Sequence, residues 1–209
     1  MESEKINVYD EDGKHLGAAA RKEIHEKGLW HETFHCWIVT KEEGRCFIHL
    51  QIRSSTKKDF PDLLDISAAG HLLSQETVED GIREVEEELG IKVAYEDLIS
   101  LGIIKDQIVE QSFIDNERCH TFLYMPKGEI DDAYVLQKEE VAGMVKADFE
   151  SFYALCFGDM EEITVEGFQI SADQNKSEIQ KKVGLKDLVP HSQAYLEQAA
   201  TLIGQELKR

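Results

Sequence analysis

Apolar residues recur along this chain with two periods, and the switches between them mark out the elements. Residues 6–9 and 16–20 alternate or run apolar on either side of the acidic turn 10–13, which predicts an opening hairpin. Residues 21–27 read as a short helix stopped by Gly28. Residues 34–40 and 46–53 form a second hairpin around the turn 41–44. Val78, Ile82, Val85 and Leu89 then fall at spacings of four, three and four, the period of a helix with one buried stripe. Thr77 suits its N-cap and Gly90 its end. Strands are predicted over 98–105, 117–125 and 140–146, followed by a helix over 148–155.

Strands flanking single helices predict an α/β architecture, with a mixed β-sheet sandwiched between α-helices rather than a doubly wound parallel sheet. Residues 1–170 form the expected domain. Residues 171–209 form a C-terminal helical extension: 171–176 is mostly polar, and the helix 192–207 carries Leu196, Ala199, Ala200 and Ile203 on one face. That face is expected to pack on the same domain, and docking to a second subunit in a homodimer stays open. A length of 209 residues suits one domain with a sizeable core.

Charge narrows the partners. With 42 acidic against 23 basic residues and a formal charge of −19, the chain is ill suited to a nucleic-acid backbone or an anionic membrane surface. No apolar run is long enough to span a bilayer, and the N-terminal stretch lacks the apolar core of a signal peptide. Cys36, Cys46, Cys119 and Cys156 show no paired spacing, so buried reduced thiols and a cytoplasmic location are expected.

The chemistry is concentrated in residues 70–91, GHLLSQETVEDGIREVEEELGI. Glu84 and Glu88 are four apart and Glu84 and Glu87 three apart, so the carboxylates crowd one flank of the helix and repel unless a cation lies between them. Hard cations such as Mg²⁺ take such oxygen ligands and share them with substrate phosphates. A solvated acidic face is the alternative for the acidic string alone; the glycine-led loop and the full run from Arg83 to Ile91 favour metal.

This segment resembles the Nudix box, whose pattern is Gly, five residues, Glu, seven residues, then Arg-Glu-apolar-any-Glu-Glu-any-Gly-apolar. Arg83 to Ile91 match every fixed position of its second half. The first half is one residue short: six residues separate Glu76 from Arg83, and a gap placed earlier would put Gln75 where the glutamate belongs. The resemblance implies the Nudix fold, with Glu84, Glu87, Glu88 and the Gly70 carbonyl holding Mg²⁺ (or Mn²⁺) and Arg83 orienting the acids.

Over about residues 5–147 the chain is also similar to the isopentenyl-diphosphate isomerase branch of that fold. Arg53, Lys57, Lys58 and the Phe60-Pro61 pair fall in register with its basic and aromatic-proline positions. His31 stands six residues before Trp37, His25 approximates a first metal histidine, and Asp115-Asn116-Glu117 matches an acid-Asn-Glu triplet. The implied site is a second, transition-metal centre of His25, His31, His71, Asp115 and Glu117, with Arg53, Lys57 and Lys58 on the diphosphate. From the residues alone, each histidine is more often an ordinary core or helix-end residue; a phosphate clamp is favoured for Arg53, while Lys57 and Lys58 equally suit a clamp or a soluble loop. Alternation through Glu117, Cys119, Thr121 and Leu123 predicts a strand that points Glu117 into a cleft. Asp115 is either ligand or turn residue, and His35 and His120 are read as structural.

Where the isomerases carry a catalytic cysteine, this chain has Ala69. Proton transfer at an allylic carbon then lacks one partner. The expected activity is therefore hydrolysis of a diphosphate bond in a small substrate, nucleoside diphosphate derivatives among the candidates. Glu117 is the first choice of base, and a box glutamate the second. An isomerase using another acid and a non-catalytic ligand sensor are the alternatives.

Overall fold

The computed structural model describes residues 4–110, 113–128, 130–171, 173 and 175–209. The opening hairpin is β1 (Lys5–Tyr9) and β2 (His15–Ala20), followed by α1 (Arg21–Lys27) with Gly28 in the left-handed conformation at its end. Then come β3 (Trp30–Glu42), β4 (Arg45–Arg53), β5 (Leu64–Asp65), β6 (Ala68–His71) and α2 (Arg83–Leu89). After these follow β7 (Leu98–Glu110), β8 (Phe113–Tyr124), β9 (Val141–Asp148), α3 (Phe149–Cys156), β10 (Ile163–Ile170), β11 (Lys176–Val183) and α4 (Gln193–Leu207).

The strands form one mixed sheet whose axis is β3. Along one edge β3 runs parallel to β8, with His31 opposite Glu117 and His35 opposite Thr121. Along the other it pairs in turn with β1, β6 and β4, all antiparallel. The sheet continues through β9 and β10 to β11. Because side chains alternate along each strand, Phe34, Cys36 and Ile38 enter the core beneath α2 with Val85 and Leu89, while Trp37 and Val39 face the core beneath α3 and α4. The sheet thus lies between helices as expected.

Three stretches differ from the sequence reading. The turn preceding α2 is a 3₁₀ helix over Glu79–Ile82, so the α-helix begins at Arg83. Gly81 sits there because a Cβ would lie 2.7 Å from the Phe34 side chain. Thr77 is not the N-cap, which is Val78 for the 3₁₀ turn and Ile82 for α2; its N–H donates to the Asp80 carboxylate at 2.8 Å. Second, β10 and β11 are strands that the sequence reading left unassigned, and their hairpin crosses the 170/171 boundary, so the tail is not helical throughout. On β11, an exposed edge strand, only Ile179 and Val183 withdraw from solvent, too few for alternation to show. Third, Cys46 is half-buried; all four cysteines are free thiols and the other three are buried. The apolar face of α4 packs inside this chain, on α3 and the core. No helix among the described residues is long and apolar enough to cross a membrane.

Candidate active site and metal centre

A cavity of about 540 Å³ opens where β6, α2, β8 and the segment after β4 meet. One wall is α2 with its approach loop. Arg83 gathers the acids there: its guanidinium donates twice to Glu76, at 2.7 and 3.0 Å, to Glu84 at 2.6 Å and to Glu87 at 3.1 Å. Glu76, rather than Gln75, reaches Arg83, so the shortened loop still delivers its glutamate. Burial would lift the Glu76 carboxyl, but Arg83 and the Leu73 N–H hold it below the ordinary range. Glu88 is buried, accepts from the Ala69 N–H at 3.1 Å and from Gln51 at 3.3 Å, and is pushed well above the usual carboxylate range by burial and by Glu84. Burial also lifts Glu84 to about 7, with Glu87 adding to it against the pull of Arg83. A Cβ on Gly70 would stand 2.1 Å from Glu84 Oε1, so only glycine lets this carboxylate lie against β6. These carboxylates fit a hard divalent cation, which would take the positive role that the buried pair lacks.

The opposite wall is built from β3 and β8 with one residue each from α1 and β6. Parallel, in-register pairing puts His31 beside Glu117, and alternation carries Asp115 to the same face. Asp115 lies within β8 and not in a turn. His25 on α1 and His71 on β6 complete the group: the ring centroids lie 5.5 Å (His25–His31), 5.4 Å (His25–His71) and 5.0 Å (His31–His71) apart. Asp115 Oδ1 is 3.3 Å from Nε2 of both His25 and His31. The Nε2 atoms of His25, His31 and His71 and Asp115 Oδ1 are all buried, and none has a hydrogen-bond partner among the described residues. Such a cluster costs a protein several unmet polar groups. Imidazole with carboxylate is the donor set of Mn, Fe or Zn, and the residues fit such an ion. Burial would raise Asp115, but His25 and His31 hold it below the carboxylate range; burial and His31 press His71 well below the usual histidine value.

The basic residues separate. Arg53 lines the cavity but gives Nη1 to Asp65 at 2.6 Å, Nε to the Phe60 carbonyl and Nη2 to the Asp59 carbonyl, which braces the loop. Lys57 lines it and pairs with Glu140; Lys58 is exposed and is not in the lining. Sequence reasoning missed Arg21, the first residue of α1, which lines the cavity and has a buried Nε–H with no hydrogen-bond partner among the described residues. It also missed His35, read as structural, whose Nε2 is 3.3 Å from Glu117 Oε2. His120 instead pairs with Glu32 at 3.2 Å. His191, just before α4, enters the lining and bridges Asp65 at 2.9 Å and Asp106 at 2.7 Å. Nothing local in the sequence signals these residues, and the partners of His35 and His191 lie far along the chain.

A family model for the NUDIX domain matches residues 29–163. The chain belongs to the Nudix family. It is 39% identical over 195 residues to an uncharacterized Nudix hydrolase of Clostridium acetobutylicum, covering 93% of this chain and 94% of that one. It is 29% identical over 149 residues to the isopentenyl-diphosphate Delta-isomerase of Corynebacterium diphtheriae, covering 68% and 77%. Crystal structures of a Deinococcus radiodurans protein (TM-score 0.55, 17% identity, 74% of this chain and 90% of that one) and of a MutT protein from Methanosarcina mazei (0.53, 16%, 86% and 96%) share the fold. The Nudix chemistry of this hydrolase family is cleavage of a pyrophosphate linkage, and the isomerase similarity supports the branch suggested by residues 51–71.

Proposed function

We propose that this Nudix hydrolase is a divalent-metal-dependent pyrophosphohydrolase acting on a small substrate, with nucleoside diphosphate derivatives and short diphosphate esters as the first candidates. The observation that carries this reading is the convergence of His25, His31, His71 and Asp115 ligand atoms, none of them in a hydrogen bond among the described residues, at a cavity whose other wall bears Glu84, Glu87 and Glu88. Glu84, Glu87, Glu88 and the Gly70 carbonyl would hold Mg²⁺ (or Mn²⁺), and the three histidines with Asp115 and Glu117 a transition metal. When bound, such ions supply Lewis acidity toward phosphoryl oxygens and a more acidic water.

The chain's own residues divide the remaining work. Arg21 gives its unpartnered donor to a phosphate oxygen, with Lys57 and the remaining N–H groups of Arg53 adding positive charge. Arg83 holds Glu84 and Glu87 in place. Glu117, 8% exposed at the cavity floor, takes the proton of the attacking water. Holding charge where it develops is the larger part of the catalysis. Free thiols suit a reducing cytoplasm.

Isomerisation fits less well. Ala69 offers no proton on its side. Cys119 lies on the Glu117 side, fully buried and 3.5 Å from that carboxylate, with its thiol pushed well above the ordinary range by burial and by Glu117. A screen of nucleoside diphosphate derivatives, dinucleoside polyphosphates and isoprenoid diphosphates with Mg²⁺ or Mn²⁺ tests the reading by phosphate or pyrophosphate release. Metal-dependent release that collapses in Glu88→Gln is expected. No release from any of them, or release untouched by that substitution, would overturn it.

A further inference from the structure

Behind Glu117 a run of buried polar groups leads into the last helix, outside the segment matched by the family model. The Tyr195 hydroxyl on α4 is 2.7 Å from His35 Nδ1, and His35 Nε2 is 3.3 Å from Glu117 Oε2. The Cys119 thiol donates to the same Glu117 oxygen at 3.5 Å. The other oxygen, Oε1, lies 4.0 Å from His31 Nε2, on the side of the histidine cluster.

The bonding chemistry sets the direction of this run. A carboxylate only accepts, so the 3.3 Å approach of His35 Nε2 to Glu117 Oε2 favours the tautomer that carries its proton on Nε2. Its Nδ1 then has a lone pair that takes the Tyr195 hydroxyl proton. Among the buried residues of α4 (Tyr195, Leu196, Ala199, Ala200, Ile203 and Gly204), Tyr195 is the one with a polar side-chain atom. An apolar residue there would pack into the same core without desolvating a hydroxyl.

We propose that Tyr195 and His35 are positioning residues for Glu117: the tyrosine hydroxyl fixes His35 as its Nε2–H tautomer, and that N–H, with the Cys119 thiol, ties down Oε2 so that Oε1 faces the histidine cluster. The catalytic consequence rests on the proposed role of Glu117. The C-terminal helix thereby becomes part of the reaction centre, acting on Glu117 of β8 through His35 of β3.

The test compares the wild-type chain with Tyr195→Phe, which keeps the buried ring and removes only the hydroxyl. Expected are a melting temperature lower by no more than a few degrees, a KM within twofold of wild type, and kcat and Mn²⁺ affinity each lower by about tenfold, the size of a lost outer-shell partner. Nitrogen-15 NMR of the His35 ring should show one Nε2–H tautomer in wild type and a mixture in Tyr195→Phe. His35→Gln, which keeps an N–H near the Nε2 position, should retain most of the activity that His35→Leu loses. The proposal is overturned if Tyr195→Phe keeps both kcat and Mn²⁺ affinity within twofold, or if wild-type His35 is the Nδ1–H tautomer. A wild-type chain that hydrolyses no diphosphate would instead sink the functional reading, leaving the tautomer and the Mn²⁺ titration to decide the relay.

Discussion

The two walls of the cavity hold their acids in opposite ways. On the helical wall Glu84 and Glu88 are lifted by burial and by neighbouring carboxylates; Arg83 offsets part of this at Glu84, and Lys57 with the Ala69 N–H part of it at Glu88. On the strand wall Asp115, as deeply placed, is held down by His25 and His31. The helical wall is one contiguous stretch of chain and owes its charge crowding to helical spacing. The strand wall draws on α1, β3, β6 and β8 and is braced from behind by the segment entering α4. Residues that are neighbours in sequence can be brought together while still in conflict, whereas residues gathered from four elements need a scaffold that fixes each one.

The brace gives the largest expected effect. His191 is lifted to about 10 because its bonds to Asp106 and Asp65 outweigh the effect of burial, and both aspartates are held below their ordinary range. His191→Gln leaves buried Asp106 without its cation and Asp65 with Arg53 alone, and should destabilise the fold by about 3–5 kcal/mol. The histidine's contribution is whole below its unfolded value of 6.5 and fades as the pH rises towards 10; that of the aspartates is whole above 3.8 and fades on acidification. Urea unfolding of the two proteins should therefore differ most at about pH 5–6 and converge near pH 10. Equal gaps at both pH values would remove the ionic brace from the comparison.

Next comes the conflict on the helical wall. Glu88→Gln should lower kcat by roughly 10²–10³-fold. In metal-free protein the same change should raise stability at pH 8, because a carboxyl lifted by burial charges in the fold only at a cost. That gain should shrink as the pH falls toward 4.5, where the unfolded chain's glutamate is protonated as well. Thermal melts in chelator at the two pH values check the sign; a destabilised variant would mean that this wall is not in conflict. The smallest effect belongs to Arg21. Arg21→Ala should raise KM about 10–100-fold with little change in stability, the worth of one charge-assisted bond to an anion. An unchanged KM would return the phosphate contact to Arg53.

The same contrast explains what could be read from the chain. The run from Arg83 to Ile91, the Gly28 and Gly90 helix ends and the first two hairpins depend on neighbours within a few residues, and periodicity displays them. The convergence of His25, His31, His71, Asp115 and Glu117 was suggested by resemblance, since no local spacing joins them. Arg21, His35 and His191 stayed hidden because their meaning comes from distant partners: 160 residues separate His35 from Tyr195 and 126 separate His191 from Asp65. For Arg53, expected on phosphate, a count of basic residues likewise does not show that Asp65 and two carbonyls already take three of its donors. β11 escaped because an exposed edge strand leaves almost no apolar trace.

The placement of His191 and Tyr195 also sets an order in time. A ribosome releases β3 and β8 long before α4, so the newly made chain can pair its strands and bring its histidines together while Asp65, Asp106 and His35 still lack their final partners. Until the closing helix docks, the floor of the cavity is a half-finished joint, and the nascent protein holds its acids without the arrangement that puts them to use.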